Sequence, residues 1–402
     1  MSEPTTTPEI TPRFSPVRWF LTNAKWHGAE WWITSLGGVF LLLILLMTIF
    51  ASKLAPYDPV KFVGKPFNRP GGRQSVVILQ DADESIQGLE DLPGRKVGVV
   101  LNTQAVKELE EREIAFQEYR SIRKTIEALR DGEIEALVTD KSDPKFKGQV
   151  KKHEIEIKSV GAPFGERFIL GTDNFGRDVF SRLIYGGQTV LLVAILAALL
   201  SAGTGVPLGL LSGFFGGWFD RILSLIMDSV YSFPGLILAI AMAALLGQSM
   251  YELPILKIDI PANVTVAIAV IYIPVYFRLV RSKVLSVKEE LYIEAARSLG
   301  TKAWTILWQY VFPNVIPSIV VIFSVNVADS ILTEAGLSFL GLGPPPTTPD
   351  WGVDLSSGKR FIPSGYWWII TFPGMMIALL TLGFSMLGEG LNEILNPRLT
   401  EN

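Results

Sequence analysis

Asp228, Asp329 and Glu334 each fall within, or at the edge of, a long apolar run. A carboxylate in that setting marks a solute or ion pathway, a proton relay, or a hydrogen bond between helices. All three lie within about two helical turns of a run's end, which favours a helix–helix hydrogen bond near an interface. Other chemistry is scarce. The sequence has no cysteine, which excludes disulfides, iron–sulfur clusters and thiol catalysis. Its two histidines, His27 and His153, lie in different segments with no ligand pattern around them, so no metal site is expected. Nothing fits the phosphate-binding pattern G-x-x-x-x-G-K-[ST]; the GK at Gly358–Lys359 runs into Arg360, and no G-x-S-x-G elbow occurs. No catalytic residue is visible. The net charge of -3 says nothing sharp about partners, and no basic, aromatic-laced stripe points to nucleic acid, so no nucleic-acid partner is expected.

The elements that carry these carboxylates are membrane spans. Among 402 residues only 19% are charged, and no charge falls in Gln188–Phe219, Ile260–Phe277 or Ser364–Gly388. Runs of about 18 or more such residues cross the hydrocarbon core as helices. Six spans are read, near Trp32–Ala51, Thr189–Leu211, Ile222–Leu246, Ala262–Leu279, Val315–Ala335 and Tyr366–Leu387. Pro207, Pro234, Pro274, Pro317 and Pro373 interrupt them, which a helix bundle tolerates. The fold class is thus an all-α polytopic membrane protein with six transmembrane helices. The first span follows a 1–31 tail and reads as an uncleaved anchor rather than a signal peptide. Six bases between Arg278 and Lys302 favour the cytoplasm for that loop. Both termini are then cytoplasmic and Ser52–Gln188 lies outside.

Residues 75–160 differ in composition. KVGVV (Lys96–Val100) and EALVTD (Glu135–Asp140) read as buried strands, and VKELEERE and SIRKTIEALRDG as helices. This is a small α/β insertion. Between two spans lies the charged stretch EELYIEAARSLGTKAWTILWQYVFPNVIP, Glu289–Pro317. Ser286 and Glu289 fit a capping box that starts a helix. Leu291, Ala295 and Leu299 share one face of it, Gly300 permits a sharp turn, and Pro313 ends or kinks the aromatic helix that follows. Bases and acids around the small pair Ala295–Ala296 suit a helix offered to a cytoplasmic partner better than one resting on lipid.

Glu294, Ala295, Ala296 and Gly300, then nine residues and Y-V-F-P ending at Pro313, resemble the EAA loop of ABC importer permeases. Tyr310 and Phe312 stand where that pattern has Ile and Leu. APYDP (Ala55–Pro59), GTDNFGRDVFSRLIYGGQTVL (Gly171–Leu191) and EAGLSFLGLGPPPTTPDWG (Glu334–Gly352) are similar to motifs of the dipeptide/oligopeptide/nickel permeases. In the second, Gly171, Thr172, Asp173, Gly176, Arg177 and Asp178 form a family motif on the outer, gate side. The resemblance implies a 171–392 permease core with five spans and a coupling loop at 286–313. It implies a second, similar permease subunit, two ATPase subunits that use ATP while this chain binds no cofactor, and an extracytoplasmic solute-binding protein. The setting is the lipid of the inner membrane, and the solute is a di- or oligopeptide, with nickel or another peptide-like compound as alternatives. Asp228 falls where the family often has an acidic residue, which favours a structural role.

The insert is what the permease motifs leave uncovered. LEDLPGRKVGVVLNTQAVKEL with IEALRDGEIEALVTD resembles one lobe of an amino-acid-type periplasmic binding protein. There Thr103 corresponds to a carboxylate-holding residue and Asp140 to an amine-holding one. Asn102 replaces the expected glycine and no second lobe is evident, so the site reads as vestigial and the insert as a docking or structural module. Two other classes compete: an ion-coupled secondary transporter or channel using the three carboxylates, and a membrane-anchored amino-acid receptor.

Overall fold

The computed structural model describes residues 28–64, 66–71, 74–79, 85–101, 103–141, 143–164, 168–253 and 258–395. The 1–31 tail therefore falls almost wholly outside the described residues, as does Asn102.

The described residues open with α1 (Gly28–Ile49). Next comes a five-stranded sheet of β1 (Gln74–Leu79), β2 (Val97–Val100), β3 (Phe116–Tyr119), β4 (Ala136–Thr139) and β5 (Ile157–Phe164). Helices α2 (Gln104–Glu111), α3 (Ile122–Arg130) and α4 (Pro144–Lys152) are threaded between the strands. The strand order is β3-β2-β4-β1-β5, with β2 parallel to β3 and β4, and β1 antiparallel to β4 and β5. Covered on both faces, β1 is a near-continuous apolar run, as a doubly packed strand must be. Val76 and Ile78 join Val97, Val99, Leu109 and Val138 on one face, while Val77 joins Ile126, Leu129, Leu137 and Phe146 on the other. The sheet reaches Phe164, four residues past the boundary read from sequence.

The rest is helical. It comprises α5 (Val179–Phe215), α6 (Gly217–Tyr231), α7 (Gly235–Leu246), the hairpin β6 (Met250–Leu253) and β7 (Ile258–Pro261), α8 (Ala262–Lys288), and α9 (Leu291–Ser298). Then come α10 (Ala303–Phe339), α11 (Trp351–Gly358) and α12 (Trp368–Leu395). Among the described residues four helices are long and apolar enough to cross a membrane: α5, α8, α10 and α12. The pair α6 and α7 makes a fifth if counted as one span, and Thr34–Ile49 in α1 is a shorter apolar helix.

Three differences from the sequence expectation have local causes. Ile222–Leu246 is not one straight span: α6 and α7 meet at 90° across Ser232–Pro234. Pro234 holds an extended ψ of 119° and caps α7 instead of continuing α6. Pro313 does not end its helix. The preceding residues Ile306–Val311 wind as a π-helix, and Asn314 Nδ2 donates to the Tyr310 carbonyl at 2.6 Å, so the helix passes the proline by widening. Finally, no capping box forms. Ser286 lies inside α8 with its hydroxyl on the Ser282 carbonyl, and α9 begins only at Leu291, with no side-chain cap.

Packing of α5 on α8 follows from a stripe of small residues. A Cβ at Gly205, Gly209 or Gly213 would lie 2.7–2.9 Å from Ile273 O, Phe277 O or Val284 Cβ respectively. Spaced four apart, these glycines share one helix face and let the two backbones approach.

Candidate functional site

The residues singled out by sequence gather at two ends of the helical part, with three carboxylates between. At one end the GTD–GRD segment is a buried turn. Gly171 and Gly176 take φ of +79° and +82°. Asp173 Oδ1 accepts from the backbone N–H of Phe175 at 2.8 Å and of Arg177 at 3.0 Å, and its Oδ2 pairs with Arg177 Nε at 2.7 Å. Thr172 Oγ1 accepts from Asn68 N at 2.8 Å, and its carbonyl accepts from Trp368 Nε1 at 3.1 Å. Asp178 caps α5 through Ser181 N at 2.7 Å. The three quoted motifs meet here: Ser181 Oγ accepts from Tyr57 N at 3.2 Å, and Arg177 Nη1 donates to Pro346 O at 2.6 Å. Trp351 Nε1 donates to Leu183 O at 2.8 Å.

Sequence reasoning did not single out Arg182, which anchors this cluster. It is buried, donates from Nη2 and Nε to Asp354 Oδ1 at 2.6 and 2.9 Å, and reaches Pro59 O from Nη1 at 3.2 Å. Burial pushes the Asp354 carboxyl up from its ordinary value, opposed by the Arg182 charge. Burial likewise raises Asp178, while Arg177 is lowered first by burial and then by the neighbouring Arg182. The one available signal was spacing: Arg182 sits four residues after a capping Asp, just before a long charge-free run. Asp173, Arg177, Arg182 and Asp354 are paired within the cluster, and the Ser181 hydroxyl donates to the Asp178 carboxylate that caps its own helix. The cluster welds loops.

At the opposite end of α8 lies α9. Ile293 and Ala296 are buried, in one core with Val206, Leu210, Val280, Val284 and Leu307. Ala295 and Ala296 therefore do not form one outward patch; successive helical positions point about 100° apart. Ala296 faces the core and Ala295 faces out with Glu294. Leu291 and Leu299 are 81% and 86% exposed, so the outward face carries large apolar side chains among its charges. The helix closes by a Schellman arrangement: Thr301 N donates to Ala296 O at 3.1 Å and Gly300 N to Arg297 O at 2.9 Å, with Gly300 at φ +78°. Pro313 is exposed beside the π-helical turn.

Between the ends, Asp228 on α6 pairs with Arg278 on α8, Oδ1 to Nη2 at 2.6 Å, and both side chains are about half exposed. Asp220 pairs with Arg281 at 2.5 Å and accepts from Ser212 Oγ. Glu334 is buried, accepts from Ser338 Oγ at 2.7 Å and lies within hydrogen-bonding reach of Asp350. Asp329 is exposed, and its carboxylate has no hydrogen-bond or ion-pair partner among the described residues.

In the insert, Thr103 and Asp140 follow the adjacent parallel strands β2 and β4. The Thr103 hydroxyl donates to Val100 O at 2.7 Å and does not cap α2. Lys145 Nζ donates to Tyr366 Oη at 3.2 Å, joining the insert to the helical part.

Residues 205–401 match the family model described as binding-protein-dependent transport system inner membrane component. The glutathione transport system permease protein GsiD of Pectobacterium atrosepticum is 42% identical over 230 residues, 57% of this chain and 72% of that protein. The dipeptide transport system permease protein DppC of Alkalihalophilus pseudofirmus is 40% identical over 229 residues, 57% of this chain and 71% of that one. Among solved structures, an ancestral arginine-binding protein bound to glutamine is similar at 27% identity over 25% of this chain and 46% of that chain, with a TM-score of 0.22.

Proposed function

Because the chain belongs to the binding-protein-dependent transport system inner membrane components, as a permease of ABC importers, we propose that it carries di- or oligopeptides and is driven through α9. The peptide reading rests on the relatives named for glutathione and dipeptide transport. An ion-coupled transporter finds no comparable support. Nickel and other peptide-like solutes remain the alternative cargo.

The observation that carries the coupling role is the two-sidedness of α9. Leu291 and Leu299 stand almost fully exposed on a helix whose other side, Ile293 and Ala296, is sunk among α5, α8 and α10. Apolar side chains that project this far from a rigidly seated helix suit a groove on a partner. Glu294 and Arg297 flank them and set orientation more than affinity. A push on α9 reaches the spans through Ile293 and Ala296, because a packed core transmits displacement rather than absorbing it. Two ATPase subunits supply the push, and this chain itself hydrolyses nothing.

In this reading α1, the bent α6–α7 pair and the four long helices make six crossings. The α9 end is cytoplasmic with both termini, and the 74–164 module is extracytoplasmic. A second permease subunit completes the path, and a solute-binding protein delivers to the outer cluster around Asp173, Arg177 and Arg182. The insert serves as a docking module on that side.

Leu291→Asp with Leu299→Asp tests the coupling role. The expected result is normal membrane insertion and retained pairing with the second permease subunit, but loss of ATPase copurification. Undiminished ATPase capture would remove α9 as the contact.

A further inference from the structure

Asp329 is a charged side chain on a span with no side-chain partner among the described residues. It lies ten residues before Phe339, the end of α10, hence about 15 Å along the helix from that end. The carboxylate is exposed. The polar groups beside it are otherwise engaged: Tyr272 Oη and Thr333 Oγ1 lie 3.3 Å apart, and Thr333 Oγ1 also donates to the Asp329 backbone carbonyl at 2.9 Å. Tyr272 thus reaches, through Thr333, the turn of α10 that begins at Asp329. Further along α8 the Asp228–Arg278 pair is also open to the surroundings. A carboxylate left open at this depth does not face hydrocarbon, since lipid offers it neither water nor a counter-ion.

We infer that Asp329, with Tyr272 and Thr333 beside it, is a contact on the solute path that receives the cationic ammonium of a passing peptide. This rests on the peptide-permease reading and goes beyond it by assigning a residue and a charge. An unpartnered carboxylate matches an ammonium's charge and hydrogen-bond donors. A single open contact also suits transit, where binding must be favourable enough to enter and weak enough to leave. The Asp228–Arg278 pair lacks that freedom, because its acid is already matched.

The sequence contains no cysteine, so one introduced thiol is unique in this chain and its labelling is read on this subunit. Leu332 lies three residues on and is half exposed, placing a thiol beside Asp329 without removing it. In the assembled transporter, Leu332→Cys should react with a cationic water-soluble methanethiosulfonate about ten-fold or more faster than with an anionic one. Adding Asp329→Asn should abolish the bias. A dipeptide with a free amine should slow the cationic reagent, and its N-acetylated form should not. Asp329→Asn should also lower dipeptide uptake about ten-fold, the scale of one charge-assisted contact, while Asp329→Glu retains most of it.

No labelling of Leu332→Cys would mean that a partner or lipid covers this face, and would overturn the inference. A charge bias that survives Asp329→Asn, or uptake unchanged by it, would overturn it too. A wild-type complex that carries no peptide would instead defeat the peptide reading, and the ammonium assignment with it. The labelling would still decide whether Asp329 borders water.

Discussion

Gly300 shows how far a single residue could be read in advance. A glycine after a short amphipathic helix announces a left-handed cap, and the φ of +78° with its paired bonds to Ala296 and Arg297 is that cap. Gly300→Val should strain the turn by about 1 kcal/mol or more. ATPase copurification should fall while membrane insertion, scored by extraction behaviour, is unchanged. Normal uptake would show that the turn is dispensable. Arg182 shows the opposite case. Its partner Asp354 is 172 residues away, and nothing local in either segment announces the pair. Arg182→Met would leave Asp354 buried without its cation and should cost about 3–5 kcal/mol, with Arg182→Met/Asp354→Leu recovering much of it. Thermal unfolding of the three proteins in one detergent checks this; equal midpoints for single and double variants would contradict it. Ala296 was misjudged because small size alone does not tell which side of a helix a residue takes.

At the scale of elements, apolar runs announced the spans, since length without charge admits few alternatives. Their ends and bends were harder. The 90° break at Pro234 and the π-helical passage before Pro313 answer the same problem, a missing N–H and a ring in the helix. Which answer is taken depends on neighbours far away in sequence. The insert's β2 and β4 were legible from short β-branched runs, whereas β1, β3 and β5 needed the sheet itself. This module has two apolar clusters of its own, one on each face of the sheet. Residues 74–164 expressed alone should therefore give a cooperative thermal transition by circular dichroism. They should bind no amino acid tighter than about millimolar, because a single lobe leaves a ligand solvated and the Thr103 hydroxyl is engaged by Val100. Thr103→Ala with Asp140→Ala should leave uptake intact in the full chain. Micromolar binding by calorimetry, lost in that variant, would make the module a sensor.

For the whole molecule, the proposed orientation rests on the basic residues between Arg278 and Lys302. A cysteine at Lys107 should react with an impermeant thiol reagent added outside intact cells, and one at Lys302 should not; the reverse pattern would invert the orientation. Family membership follows from similarity along the permease part, and the proposed coupling through α9 adds that the driving ATPases are separate subunits. The most direct test is solute uptake into proteoliposomes built from purified parts. The account predicts ATP-dependent dipeptide uptake only when this chain is joined by a second permease subunit, ATPase subunits and a solute-binding protein. Uptake by this chain alone, driven by an ion gradient without ATP, would contradict it.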